Sequence, residues 1–108
     1  MRVEPTPPFA REAKPLLKKF ASLDGELKTL FAKLEVDATT GTSIGQGFYK
    51  IRLKIASKGG GKSGGARVIT CIVAVQETVY LLSIYDKAEQ ETISDRRLSE
   101  LLKLLPIA

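Results

Sequence analysis

The stretch from Phe48 to Arg67, FYKIRLKIASKGGGKSGGAR, constrains this chain more than any other. Its first half alternates strictly, with Tyr49, Ile51, Leu53 and Ile55 on one side and Lys50, Arg52 and Lys54 on the other. A period of two is the signature of a half-buried strand, here 48–56, with one face on a core and three cations on the other. Like charges in a row repel, and core packing gives no reason to gather them. Phosphates spaced along a polyanion do give one, because they neutralise the row together. A glycine-rich loop, 57–65, then carries Lys58 and Lys62, and the chain returns at Arg67. In an antiparallel hairpin that return sets Arg67 beside the cationic strand. The pattern reads as a phosphate-handling surface, with RNA the expected partner.

The rest of the chain supplies what such a strand needs to pack against. Residues 1–5 read as a short edge strand. Thr6 followed by Pro7 and Pro8 suits a helix start, with Thr6 as cap. Phe9, Ala13, Leu16, Leu17 and Phe20 recur at helical spacing, and Pro15 predicts a kink or a re-start. A second helix over 23–35 rests on Leu23, Leu27, Leu30, Phe31 and Leu34, with the joint near Ala21–Ser22. Residues 37–47 are loop by composition. ARVITCIVAV is apolar on both sides and predicts an interior strand. A turn at 76–78 leads to a third strand, VYLLSIY (79–85). Ser94 caps a last helix carrying Leu98, Leu101, Leu102 and Leu105. The order αα, βββ, α predicts one α+β domain over 1–108, an antiparallel meander with helices covering one face. At 108 residues the chain can bury a core without disulfides or metals.

Composition removes several kinds of chemistry. Histidine is absent, which excludes His-based triads and His metal sites. The single cysteine, Cys71, has no partner for a disulfide or a metal and reads as a small buried hydrophobe. No cofactor is expected. No apolar run approaches the length of a membrane span, so a cytoplasmic protein without membrane contact is expected. The net charge of +5 favours anionic partners. Gly61-Lys62-Ser63 resembles the end of a nucleotide-binding P-loop, but Ala56 stands where its first glycine belongs. A strand also follows where a helix N-terminus should face the phosphates. Arg67 suits either bidentate phosphate binding or pairing with a carboxylate, and the expected strands offer it only Glu77. Tyr85 and Lys87 close the third strand, either stacking a base and carrying charge, or as core and solvated residues.

On FYKIRLKIASKGGGKSGGARVI and YLLSIYDKAEQETIS, the chain resembles bacterial toxins of the RelE/ParE superfamily, nearest its HigB-like branch. The resemblance implies a small antiparallel sheet packed by helices. It also implies a metal-independent endoribonuclease that cuts messenger RNA in the ribosomal A site. The partners implied are mRNA on the ribosome, small-subunit ribosomal RNA and a cognate antitoxin. Carried over by position, Lys50 and Arg52 match the basic strand, Arg67 the returning arginine and Lys87 the basic residue after the third strand; these are the candidate catalytic residues. Lys54 and Lys62 sit where relatives carry positive charge, and Lys58 and Tyr85 complete the candidate RNA-binding set. Some members carry a tyrosine shortly before the last helix, where this chain has Ile93. The superfamily also contains ParE-like gyrase poisons, and a non-enzymatic RNA-binding module is a further alternative. The implied chemistry is attack of a ribose 2′-hydroxyl on its neighbouring phosphate. Without histidine, either a lysine acts as base, which crowding among like charges favours, or the ribosome positions the groups.

Overall fold

Neighbouring residues of the central strands belong to different cores, and this alternation builds the molecule. The computed structural model describes residues 1–58 and 64–105. Among these the strands are β1 (Arg2–Pro5), β2 (Thr42–Gly45), β3 (Phe48–Leu53), β4 (Ala66–Val73) and β5 (Thr78–Asp86). The helices are α1 (Pro7–Lys19), α2 (Leu23–Val36) and α3 (Asp95–Lys103). The strands form one sheet in the order β1-β5-β4-β3-β2. All its pairings are antiparallel except β1 with β5, which is parallel. The α+β class expected from the sequence is the one observed, with β4 central as its two-sided apolar run requires.

On the first face, Ile51, Ala66, Val68, Val79, Leu81 and Ile84 pack against Phe9, Leu16 and Phe20 and against Leu23, Leu27, Leu30 and Leu34 of α2. On the second, Phe48, Ile69, Cys71, Tyr80, Leu82 and Tyr85 pack against Leu101 and Leu105. Helices therefore cover both faces rather than the one expected. The reason lies in β4 and β5, which are apolar on both sides and need a cover on each. β5 also holds one extra residue opposite the Ile69–Thr70 step of β4. That bulge brings Tyr80, Leu82 and Tyr85 onto the same face.

Several local expectations changed. The helix α1 runs without a break through Pro15, which is exposed and removes only its own N–H. Thr6 occupies the cap position, but its hydroxyl donates to the Leu81 carbonyl (2.8 Å) and ties α1 to β5 instead of capping. Ser94 does cap α3, accepting from the Arg97 N–H at 3.1 Å. Within the expected loop 37–47 lies the edge strand β2. All four of its residues are exposed, so no hydrophobic alternation betrays it. β3 ends at Leu53, earlier than expected, and Ala56–Lys58 form a single 3-10 turn. No described helix is long and apolar enough to cross a membrane.

Candidate nucleic-acid interface

The register places the basic residues more tightly than alternation alone could. Arg52 of β3 is opposite Arg67 of β4, and Arg67 is opposite Tyr85 of β5. The three form one row across the sheet. Lys50 lies in the next row, opposite Ile69. Because Ile51 and Ala66 face the first core, Lys50, Arg52 and Arg67 project from the second face. The α3 helix covers that face around Phe48 and Cys71, but leaves Arg52 exposed and Lys50 half-buried. Lys87, one residue beyond Asp86, is half-buried at the same end of the sheet. The structure therefore brings together Lys50, Arg52, Arg67 and Lys87, the four candidate catalytic residues, with Tyr85 in the row.

Arg67 is the unusual member. It is only 6% exposed, yet among the described residues no carboxylate lies within ion-pair reach. Its Nη1 donates to the backbone carbonyls of Ala66 (3.2 Å) and Gly64 (3.4 Å). Neither neutralises the charge. A buried cation without a counter-ion is costly, and an external anion removes the cost. Of the two sequence readings for Arg67, pairing with a carboxylate is thus not the one observed. Lys87 is not sequestered either. Its Nζ lies 3.8 Å from Glu91 Oε1, whose side chain is 90% exposed, and such surface pairs are weak and exchangeable.

Tyr85 is buried in the second core, and its hydroxyl makes no hydrogen bond of ordinary geometry. Burial pushes its pKa above the ordinary phenol value, with the Arg67 charge and the Thr92 side chain pulling the other way. A base cannot stack on a ring enclosed in this way. Cys71 is buried and free, and burial raises its thiol pKa.

Lys58 is directed elsewhere. Its Nζ lies 2.5 Å from Asp86 Oδ1, with the two side chains 16% and 3% exposed, and 5.9 Å from the Phe20 ring centroid. It belongs to the first-core side of the sheet end, away from the Arg67 row. Lys54 is exposed beyond the end of β3, beside Ser22, Glu26 and Thr29 at the start of α2. Lys62 lies outside the described residues.

Sequence reasoning missed Asp86. The third strand was expected to end at Tyr85, so the acid fell in a linker, whereas β5 runs to Asp86 and buries it. A carboxylate closing an otherwise uncharged strand was the available signal. Among the described residues no three His, Cys, Asp or Glu side chains form a metal-holding group.

A mostly antiparallel open sheet, two helices on one face, a short C-terminal helix on the other and a cationic row at the loop end define a RelE-like α+β fold. Among solved structures, the chain is similar to the free-state structure of the E. coli toxin RelE, determined as an arginine-to-alanine double mutant. The two superpose with a TM-score of 0.59 over 94% of each chain, at 16% sequence identity. At that identity the likeness is one of fold. No protein-family model matches the chain.

Proposed function

We propose that this chain is the toxin of a type II toxin–antitoxin module, of the HigB-like kind. It acts in the cytoplasm as a ribosome-dependent, metal-independent endoribonuclease that cuts mRNA in the ribosomal A site. A cognate antitoxin holds it silent. The observation that carries this reading is Arg67, a buried guanidinium with no carboxylate in ion-pair reach among the described residues, set in one row of the sheet between the exposed Arg52 and Tyr85.

In the proposed reaction the 2′-hydroxyl attacks the adjacent phosphorus and the bond to O5′ breaks, leaving a 2′,3′-cyclic phosphate and a 5′-hydroxyl. The attacking oxygen gives its proton to a lysine base, and the departing oxygen gains one. Lys50 and Lys87 flank the row and take these two roles. Arg67 neutralises charge that builds on the phosphorane-like transition state, where a single such contact is worth about 10²–10³ in rate. Arg52 holds a neighbouring phosphate. Lys54 and Lys62 contribute positive charge for contacts with ribosomal RNA.

Ribosome dependence follows from what a small open face lacks. Orientation can supply about 7–11 kcal/mol of a barrier. With Tyr85 enclosed and Ile93 buried in the second core, neither can grip and turn a base. The ribosome, which holds the codon, provides that positioning. The test compares one transcript with and without initiated ribosomes at equal protein and salt, mapping 5′ ends and cyclic phosphates. Cleavage with ribosomes alone is expected, and equal rates in both samples would rule out ribosome dependence. No cleavage in either, together with loss of DNA supercoiling by gyrase, would establish the ParE-like alternative.

A further inference from the structure

The two ends of the glycine-rich loop are fastened by contacts that none of the roles above requires. On its incoming side, the backbone N–H of Ala56 donates to Glu26 Oε2 at 2.8 Å. The N–H of Ser57 donates to Ser22 Oγ at 2.9 Å, and the N–H of Ser22 donates back to Ser57 Oγ at 3.1 Å. The 3-10 turn is thereby fixed to the start of α2. On the outgoing side, the Gly65 carbonyl accepts from the Lys87 N–H at 3.1 Å and lies 3.4 Å from Lys58 Nζ. Lys58 reaches on to Asp86 Oδ1, which also accepts from the Ala88 N–H at 2.9 Å. Gly65 has φ +75°, and a Cβ there would stand 2.3 Å from the Leu53 carbonyl oxygen, so only glycine fits. The carbonyls that hold the Arg67 guanidinium belong to Gly64 and Ala66, on either side of this fastened residue.

We propose that the Lys58–Asp86 ion pair is a clasp that positions Arg67. It holds the Gly65 peptide against β5, and so sets the direction of the two carbonyls that aim the guanidinium across the row. Lys58 and Asp86 are positioning residues, and neither touches the substrate. Their role rests on the functional reading above for its effect on cleavage, but not for its effect on Arg67 itself.

The decisive variant is the double one, Lys58→Met with Asp86→Asn. It leaves net charge unchanged and strands no buried ion, whereas either single change leaves one charge unpartnered. Three readouts apply. The first is the Arg67 Nε–Hε signal by NMR, assigned by its loss in Arg67→Lys; it should be sharp in the native chain and broadened or fast-exchanging in the double variant. The second is kcat on ribosome-bound transcript, which should fall about 10²-fold, the effect of misplacing a reacting group by about 1 Å, with little change in KM. The third is the salt dependence of binding to a short single-stranded RNA, whose log–log slope should not change.

A slope reduced by about 0.7 would show that Lys58 meets a phosphate directly, and would overturn the clasp. So would an unchanged Arg67 signal in a folded double variant. Should the native chain cut no RNA at all, the enzymatic reading falls and the Arg67 signal alone decides: broadening on loss of the pair supports the clasp, and equal signals overturn it.

Discussion

At the loop end of the sheet two cations sit on opposite faces, Arg67 buried and Lys58 half-buried. Lys58, on the side of α1 and α2, lies 2.5 Å from a carboxylate and over an aromatic ring. Arg67, on the side of α3, touches two backbone carbonyls and has no described carboxylate within reach. Both come from the same basic segment. Their surroundings separate them. The first face is internally balanced and contributes to the fold, while the second keeps an unbalanced charge that an anion can complete. Membership of a basic stretch therefore says little about role. The presence or absence of a counter-charge says much more.

The strongest way to break this contrast is to remove each cation in turn. Arg67→Ala should lower cleavage by about 10²–10³-fold, the worth of a transition-state charge contact. Lys58→Met leaves Asp86 buried and unpaired, and should destabilise the chain by about 3 kcal/mol, the low end for a broken buried pair because the ammonium keeps some solvent. Arg67→Met, by contrast, gives up two carbonyl contacts but orphans no counter-charge among the described residues, and should cost less stability than Lys58→Met. Urea denaturation of the two Met variants reads the difference. Equal losses would mean that Arg67 has a structural counter-charge after all.

Acid should distinguish the two faces next. Burial by itself would raise the Asp86 pKa, but the Lys58 ammonium and the Ala88 N–H, with Lys19 further off, more than offset it and hold the carboxyl below its ordinary value. A depressed folded-state pKa gives stability that is complete above the unfolded value, about 3.9, and is lost as pH falls through the folded one. Asp86→Asn should lose this part of the acid limb. Urea midpoints from roughly pH 5 to pH 2 measure the slope. An Asn variant with the native slope would show that the pair contributes nothing on the first face.

Much of the frame was legible from periodicity. Strict alternation from Tyr49 to Ile55 identified the cationic strand, and the unbroken apolar run of ARVITCIVAV identified the centre of the sheet. Four leucines behind Ser94 identified the last helix. Each signal is local, carried by spacing within a few residues. The failures have a common cause, since each depends on where a distant segment lands. The edge strand β2 is defined by pairing with β3 and has no buried face. The parallel β1–β5 pairing and the placement of α3 on the second face depend on the chain crossing the sheet. At the site, alternation and a hairpin were enough to gather Lys50, Arg52 and Arg67. They could not tell that Lys58 turns inward, because its partner Asp86 is 28 residues away. Nor could they tell that the Tyr85 ring is enclosed, because the enclosing core is assembled from β4, β5 and α3.

The smallest expected effect tests whether the open row uses anything besides charge. Tyr85 shares the row with Arg67, and its buried hydroxyl has no hydrogen-bond partner of ordinary geometry. Leaving such a group buried and unsatisfied costs about 1–3 kcal/mol. Tyr85→Phe removes that cost while keeping the ring, so stability should rise by up to about 1 kcal/mol once relaxation is allowed for. The alkaline limb should change as well. With the phenol pKa raised by burial, the folded state keeps a proton that the unfolded chain releases. Stability from this source is complete below the unfolded value, about 10, and declines as pH climbs through the folded one. The Phe variant should lack that decline. Cleavage should change little, because Arg67 and its cationic neighbours supply charge whether or not the hydroxyl is there. A Phe variant as inactive as Arg67→Ala would instead make the phenol a donor to the same anion. The second face would then be set apart by an unsatisfied hydroxyl as well as an unbalanced charge.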